Sequence, residues 1–122
     1  MKTKFENLEI YQTSEKFCDA IWDIVIKWEY LPKNTIGMQL VNAADGIGSN
    51  IAEGSGKGSY TEFRRYVKIS RGCLSETKHW LRRAYKRKLI ANAEVKKLKP
   101  LLDELLPRLS AFINYLNKKS LK

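Results

Sequence analysis

A chain of 122 residues, 43% of them hydrophobic, is sized for one domain spanning residues 1–122 with a real core, and leaves no room for a second. The formal net charge of +10 is unevenly held: residues 1–56 carry −3, residues 57–91 carry +9 and residues 92–122 carry +4. Cations gathered in this way point to a polyanionic partner, and the absence of any uninterrupted apolar run of about 18 residues argues against a membrane-spanning protein.

The opening residues, Met1 to Ile10, hold charge but no apolar run of signal-peptide length, so a lead-in segment of a cytoplasmic protein is expected. From Ile10 to Leu31, the set Ile10, Phe17, Ile21, Ile24, Val25, Trp28 and Leu31 marks one helix face, with Pro32 closing the run. Trp22, Ile26 and Tyr30 form a second apolar strip at helical spacing. A monomeric bundle would expose that strip, which makes it a candidate subunit interface; scattered exposed aromatics are the plainer alternative.

Asn34 or Thr35 can cap a second helix that runs to about Glu53 and buries Leu40, Ala44, Ile47 and Ile51. Gly46 and Gly48 inside it each cost about 1 kcal/mol relative to Ala, so a close helix contact or a local break is expected there. Gly54 sits where a left-handed C-terminal cap would fall. The linker Gly54-Ser-Gly-Lys-Gly58 fails as a phosphate-binding P-loop. With Gly56-Lys57 as its Gly-Lys pair the first position is Ile51, the last is Gly58, and a helix rather than a strand precedes it.

Ser59-Tyr-Thr-Glu62 reads as a capping box that opens a third helix reaching Lys88. Phe63, Val67, Ser70, Leu74, Thr77, Leu81 and Ala84 give its buried face. Arg64, Lys68, Arg71, Lys78, Arg82 and Lys86 follow the same step rule within a strip roughly 80° wide, expected opposite the buried face, and Arg65, Arg83 and Arg87 widen it. Lys57, just before the helix, extends the rail or is a solvated loop lysine. Tyr60 and Tyr85 lie beside the strip, too few to make a base-stacking platform. A solvated face that only keeps the protein soluble is the alternative reading of the rail, but such faces mix signs and this one scarcely does.

Asn92 is a candidate cap for a fourth helix with the seam Leu98, Leu102, Leu105, Leu109, Phe112 and Leu116. Pro100 and Pro107 interrupt it off the seam, and Asn117 to Lys122 reads as a frayed end. Four helical segments with short connections predict an all-α, antiparallel up-down-up-down four-helix bundle.

Chemistry is sparse. The single histidine, His79, has no Cys or acidic residue at ligand spacing, so no metal is expected. Cys73 and His79 point in different directions and make no dyad; Cys18 and Cys73 read as reduced core thiols, with a disulfide between them as the alternative. No catalytic residue, cofactor or enzyme activity is expected.

The run Gln39-Leu-Val-Asn-Ala-Ala-Asp-Gly-Ile-Gly-Ser-Asn-Ile-Ala-Glu-Gly54, with Tyr60-Thr-Glu-Phe63 and Arg71-Gly-Cys-Leu-Ser-Glu76, resembles the four-helix-bundle proteins encoded in intervening sequences of bacterial 23S rRNA genes. Ser49-Asn-Ile-Ala-Glu-Gly54 is the most specific part, and the likeness extends from the first helix to the fourth. The resemblance implies a ring-shaped homopentamer with a positively charged surface. That family is also similar to the accessory variability proteins of diversity-generating retroelements, which implies nucleic acid and a reverse transcriptase as partners. Gly48 stands where proline is common, Cys73 where serine is usual and Thr77 where an acidic residue is frequent.

The expectation is a non-enzymatic, oligomeric bundle that binds RNA or DNA through Lys57, Arg64, Arg65, Lys68, Arg71, Lys78, Arg82, Arg83, Lys86 and Arg87. The alternative is a scaffold whose basic face docks an acidic protein.

Overall fold

The structure, a computed structural model, describes residues 4–121. Among these residues there are four long helices and no strand: α1 (Glu9–Val25), α2 (Met38–Ser55), α3 (Tyr60–Lys86) and α4 (Asn92–Ser120). Met1 to Thr3 and Lys122, assigned from sequence to the lead-in and the frayed end, lie outside the described residues. A 3₁₀ turn, Phe5–Asn7, precedes α1.

α1 forms because Ile10, Phe17, Ile21, Ile24 and Val25 return to one side every three or four residues, and all are buried. It stops at Val25, six residues before the expected end, and Lys27–Glu29 turn the chain. Leu31, expected in the core, is 70% exposed. Pro32 does not close this helix but sits in the first turn of the next helical stretch, Tyr30–Pro32, where a missing backbone donor has no intrahelical bond to lose. A π-helical turn, Lys33–Gly37, then leads into α2. Asn34 and Thr35 are therefore not caps. Their side chains donate instead to the carbonyls of Tyr30 and Leu31, each at 2.8 Å.

The glycines of α2 mark close helix contacts, not a break. A Cβ on Gly48 would stand 2.9 Å from the Ser14 hydroxyl of α1, and one on Gly46 would stand 2.9 Å from the Cys73 sulfur of α3. Gly54 is not the left-handed cap but a buried helical residue, where a Cβ would come within 2.6 Å of the Tyr66 Cβ. The positive φ of the linker belongs to Gly58, at 87°.

α3 starts at the cap the sequence encodes, with the Ser59 hydroxyl accepting from the Glu62 amide at 3.1 Å. The reciprocal half of the box is not made, because the Glu62 carboxylate accepts from Arg65 Nε at 2.9 Å. α3 ends at Lys86 in a Schellman arrangement: Lys88 takes φ 64°, its amide reaches the Tyr85 carbonyl, and the Leu89 amide reaches that of Ala84.

α4 is one helix through both prolines, since Pro100 and Pro107 are exposed and water can reach the carbonyls they leave unpaired. Asn92 is its first residue, not its cap. Ala91 holds the cap position, its amide donating to the Glu94 carboxylate at 2.9 Å, and the Asn92 side chain accepts from the Tyr85 hydroxyl. Helix persists to Ser120, so the expected fraying at Asn117 is absent.

Around the bundle, α1 packs on α2 and α4, and α3 packs on α2 and α4, so α1/α2 and α3/α4 are opposite faces. Phe17, Ile21, Leu40, Ile47, Phe63, Leu74, Leu105 and Leu109 form a shared core, each fully buried and each contributing about 1.5–3 kcal/mol. Thr77 and Ser70 are buried with them, donating to the carbonyls of Cys73 and Ile47. No helix among the described residues is long and apolar enough to cross a membrane.

Candidate nucleic-acid interface

The candidate surface is built on α3, whose 27 residues extend about 40 Å. Phe63, Val67, Ser70, Leu74, Thr77 and Ala84 fix its rotation by pointing into the core; Leu81 is half-buried. The basic strip does not lie opposite this face. Counting about 100° per residue, Arg64, Arg71, Lys78 and Arg82 lean toward α4, while Arg65, Lys68, Arg83 and Lys86 look outward. The rail is thus two rows.

The inner row is tied to α4. Arg64 Nη1 donates to Asn117 Oδ1 at 2.7 Å and to Ser120 Oγ at 3.4 Å, and Arg71 Nη1 donates to Ser110 Oγ at 3.4 Å. These neutral acceptors leave both guanidiniums charged while fixing their direction. Lys78 and Arg82 border a groove of about 470 Å³ between α3 and α4, floored by Leu81, Val95, Leu98 and Leu102, where Lys99 pairs with Asp103 at 3.0 Å.

In the outer row, Arg65 is paired with Glu62 and stacks over the Tyr66 ring at 4.6 Å; its pKa is raised further above its usual range by the hydrogen bond its Nε donates to Glu62 and by that carboxylate's charge. Lys57 stands over the same ring at 5.4 Å. Among the described residues, Lys68, Lys78, Arg82, Arg83, Lys86 and Arg87 form no ion pair. With Lys57, Arg64 and Arg71, which also form none, they are the unneutralised charge of this surface. Tyr60 packs against the core, whereas Tyr85 is exposed beside Arg82.

Trp22, Ile26 and Tyr30 are exposed by 54%, 49% and 80%, but they are not one strip of one helix. Because α1 ends at Val25, Tyr30 belongs to the following turn. Met38 takes its place beside Trp22 and Ile26, lining a cleft between α1 and α2.

Away from these surfaces, the polar side chains of the interior bond within the fold. Among the described residues no group of three His, Cys, Asp or Glu side chains is placed to hold a metal. The Cys18 thiol donates to the Glu15 carbonyl at 3.4 Å and is pushed up to about 12 by burial, then by the charges of Asp45, Asp19 and Glu15. Burial and Glu76 also raise Cys73. Sequence reasoning missed Ser110, Asn117 and Ser120, which orient the arginines from 39 to 56 residues away and leave no local signal.

Compared with known proteins, the chain matches the family model described as 23S rRNA-intervening sequence protein over residues 6–111, from before α1 into the second half of α4. No curated protein matches it.

Proposed function

The chain belongs to the 23S rRNA-intervening sequence protein family, and from that premise we propose that it is a non-enzymatic, self-associating bundle that binds nucleic acid through α3. The observation that carries this reading is the set of six unpaired cations from Lys68 to Arg87, beside two arginines held in place by neutral acceptors. Arginine forks already oriented lose less side-chain freedom when they meet phosphate oxygens. The family's tie to ribosomal RNA genes favours RNA over DNA as the polymer, and the protein is placed in the cytoplasm. Contacts of this kind are largely independent of sequence. Self-association uses the exposed patch around Trp22 and Ile26, and the resemblance stated above implies five subunits.

The test is binding to labelled ribosomal RNA fragments and to random duplex DNA across a salt series. Log affinity should fall linearly with log salt, and each duplex phosphate contact contributes about −0.9 to the slope. Replacing Lys68, Lys86 and Arg87 together by Glu should flatten the slope by about 2.7 on DNA and weaken binding strongly, since none of the three forms an ion pair among the described residues. An unchanged slope would remove α3 as the binding surface.

A further inference from the structure

Two surfaces that mix apolar and charged groups remain exposed on the single chain. The first is the outward edge of α1 and its C-terminal cap, where Glu15, Asp19, Trp22, Asp23 and Ile26 fall within a strip roughly 100° wide, all exposed. The second is the α3/α4 groove, with its aliphatic floor and with Lys78 and Arg82 on its lip. Asp19, Asp23, Lys78 and Arg82 have no ion-pair partner among the described residues. One surface is acidic and greasy; the other is basic and greasy.

Their positions in the bundle relate them. The α1 edge is on the α1/α2 side and the groove is on the opposite side, so the two cannot meet within one chain. Up-down topology brings the C-terminal ends of α1 and α3 to the same end of the bundle. Lys78 and Arg82 lie about 12 and 6 Å from the end of α3, and Asp19 and Asp23 lie about 9 and 3 Å from the end of α1. Matched surfaces therefore face away from each other at similar heights.

We propose that the α1 edge of one copy docks into the α3/α4 groove of a second copy, with Trp22 and Ile26 on the aliphatic floor and Asp19 and Asp23 against Lys78 and Arg82. This rests on the self-association reading above and specifies the partner surface. Two different patches meet, so the joint is heterologous: copies stand side by side with parallel axes, and the assembly is a ring where the rotation from copy to copy closes and an open filament where it does not. Lys78 and Arg82 are then spent on the joint, and the polyanion surface is left to the remaining cations of α3.

A reciprocal charge exchange tests the joint. Variant one carries Asp19→Lys and Asp23→Lys; variant two carries Lys78→Glu and Arg82→Glu. Each alone presents like charges at the joint and should sediment as a 14.1 kDa monomer with unchanged helical circular dichroism. Mixed in equal amounts, the two restore opposite charges wherever variant one meets variant two and should associate again; a ring of five would keep one like-charge joint, so the mixture should form open or even-numbered assemblies in place of the wild-type ring. Variant two assembling like the wild type would overturn the groove assignment. If Trp22→Glu is nevertheless monomeric, self-association through Trp22 stands without the groove. A wild type that stays monomeric at about 100 µM overturns both, leaving the groove to an acidic partner protein.

Discussion

The Cys18 thiol shows how one residue's surroundings decide its chemistry. Half-buried on α1 beside Asp45, Asp19 and Glu15, it is pushed up to about 12, so forming the thiolate sets a negative charge among three others in poor contact with water. At pH 8 only about one thiol in ten thousand is ionised. Alkylation of Cys18 should therefore be far slower than that of a free cysteine, and Asp45→Asn should accelerate it, as measured by mass spectrometry at pH 8. The sign for stability follows. The folded thiol holds its proton where the unfolded one has lost it, so this contribution is complete below about pH 9 and fades as pH rises toward about 12. Placing Cys18 on a helix near an apolar face was within reach of the sequence, but its neighbour Asp45 was not, because that contact depends on how α2 crosses α1.

At the scale of elements, the helices were legible where a repeating apolar face ran into a chemical stop, and misread where the stop was ambiguous. Ser59 announced α3 because a serine three residues before a glutamate has one common use. Pro32 misled, since a proline can follow one helix or open the next, and the apolar residues Trp28 and Leu31 continued a pattern the backbone had already left. The α3–α4 connection holds two poor choices that periodicity could not reveal. Lys88 occupies a left-handed position suited to glycine, and Ala91 occupies a cap position suited to a side-chain acceptor. Lys88→Gly should gain about 0.5–1 kcal/mol and Ala91→Asp about 1 kcal/mol, read as higher midpoints in urea unfolding with the slope unchanged. The candidate site was legible as a set of residue types, whereas its division into two rows was not. That division depends on the rotation of α3 against α4, and α4's acceptors lie far along the chain.

For the whole molecule, the segregation of charge visible in the sequence becomes a segregation of faces. The half that is net negative supplies α1 and α2, and the basic half supplies α3 and α4, with the helices arranged so that the two pairs back onto each other. Pro100 and Pro107 lie in α4, on the basic half, and each withholds the amide that would bond the carbonyl one turn earlier. Two gaps in one ladder mean that α4 opens locally at lower free energy than α3, whose hydrogen bonding is continuous. Deuterium should consequently enter the α4 amides between residues 96 and 108 well before it enters the centre of α3. α4 also carries the oxygen atoms that hold Arg64 and Arg71. Those acceptors, Ser110, Asn117 and Ser120, all lie beyond both gaps, so the stretch of α4 that opens first is not the stretch that aims the arginines, and the two guanidiniums keep a fixed direction while the helix upstream of them breathes.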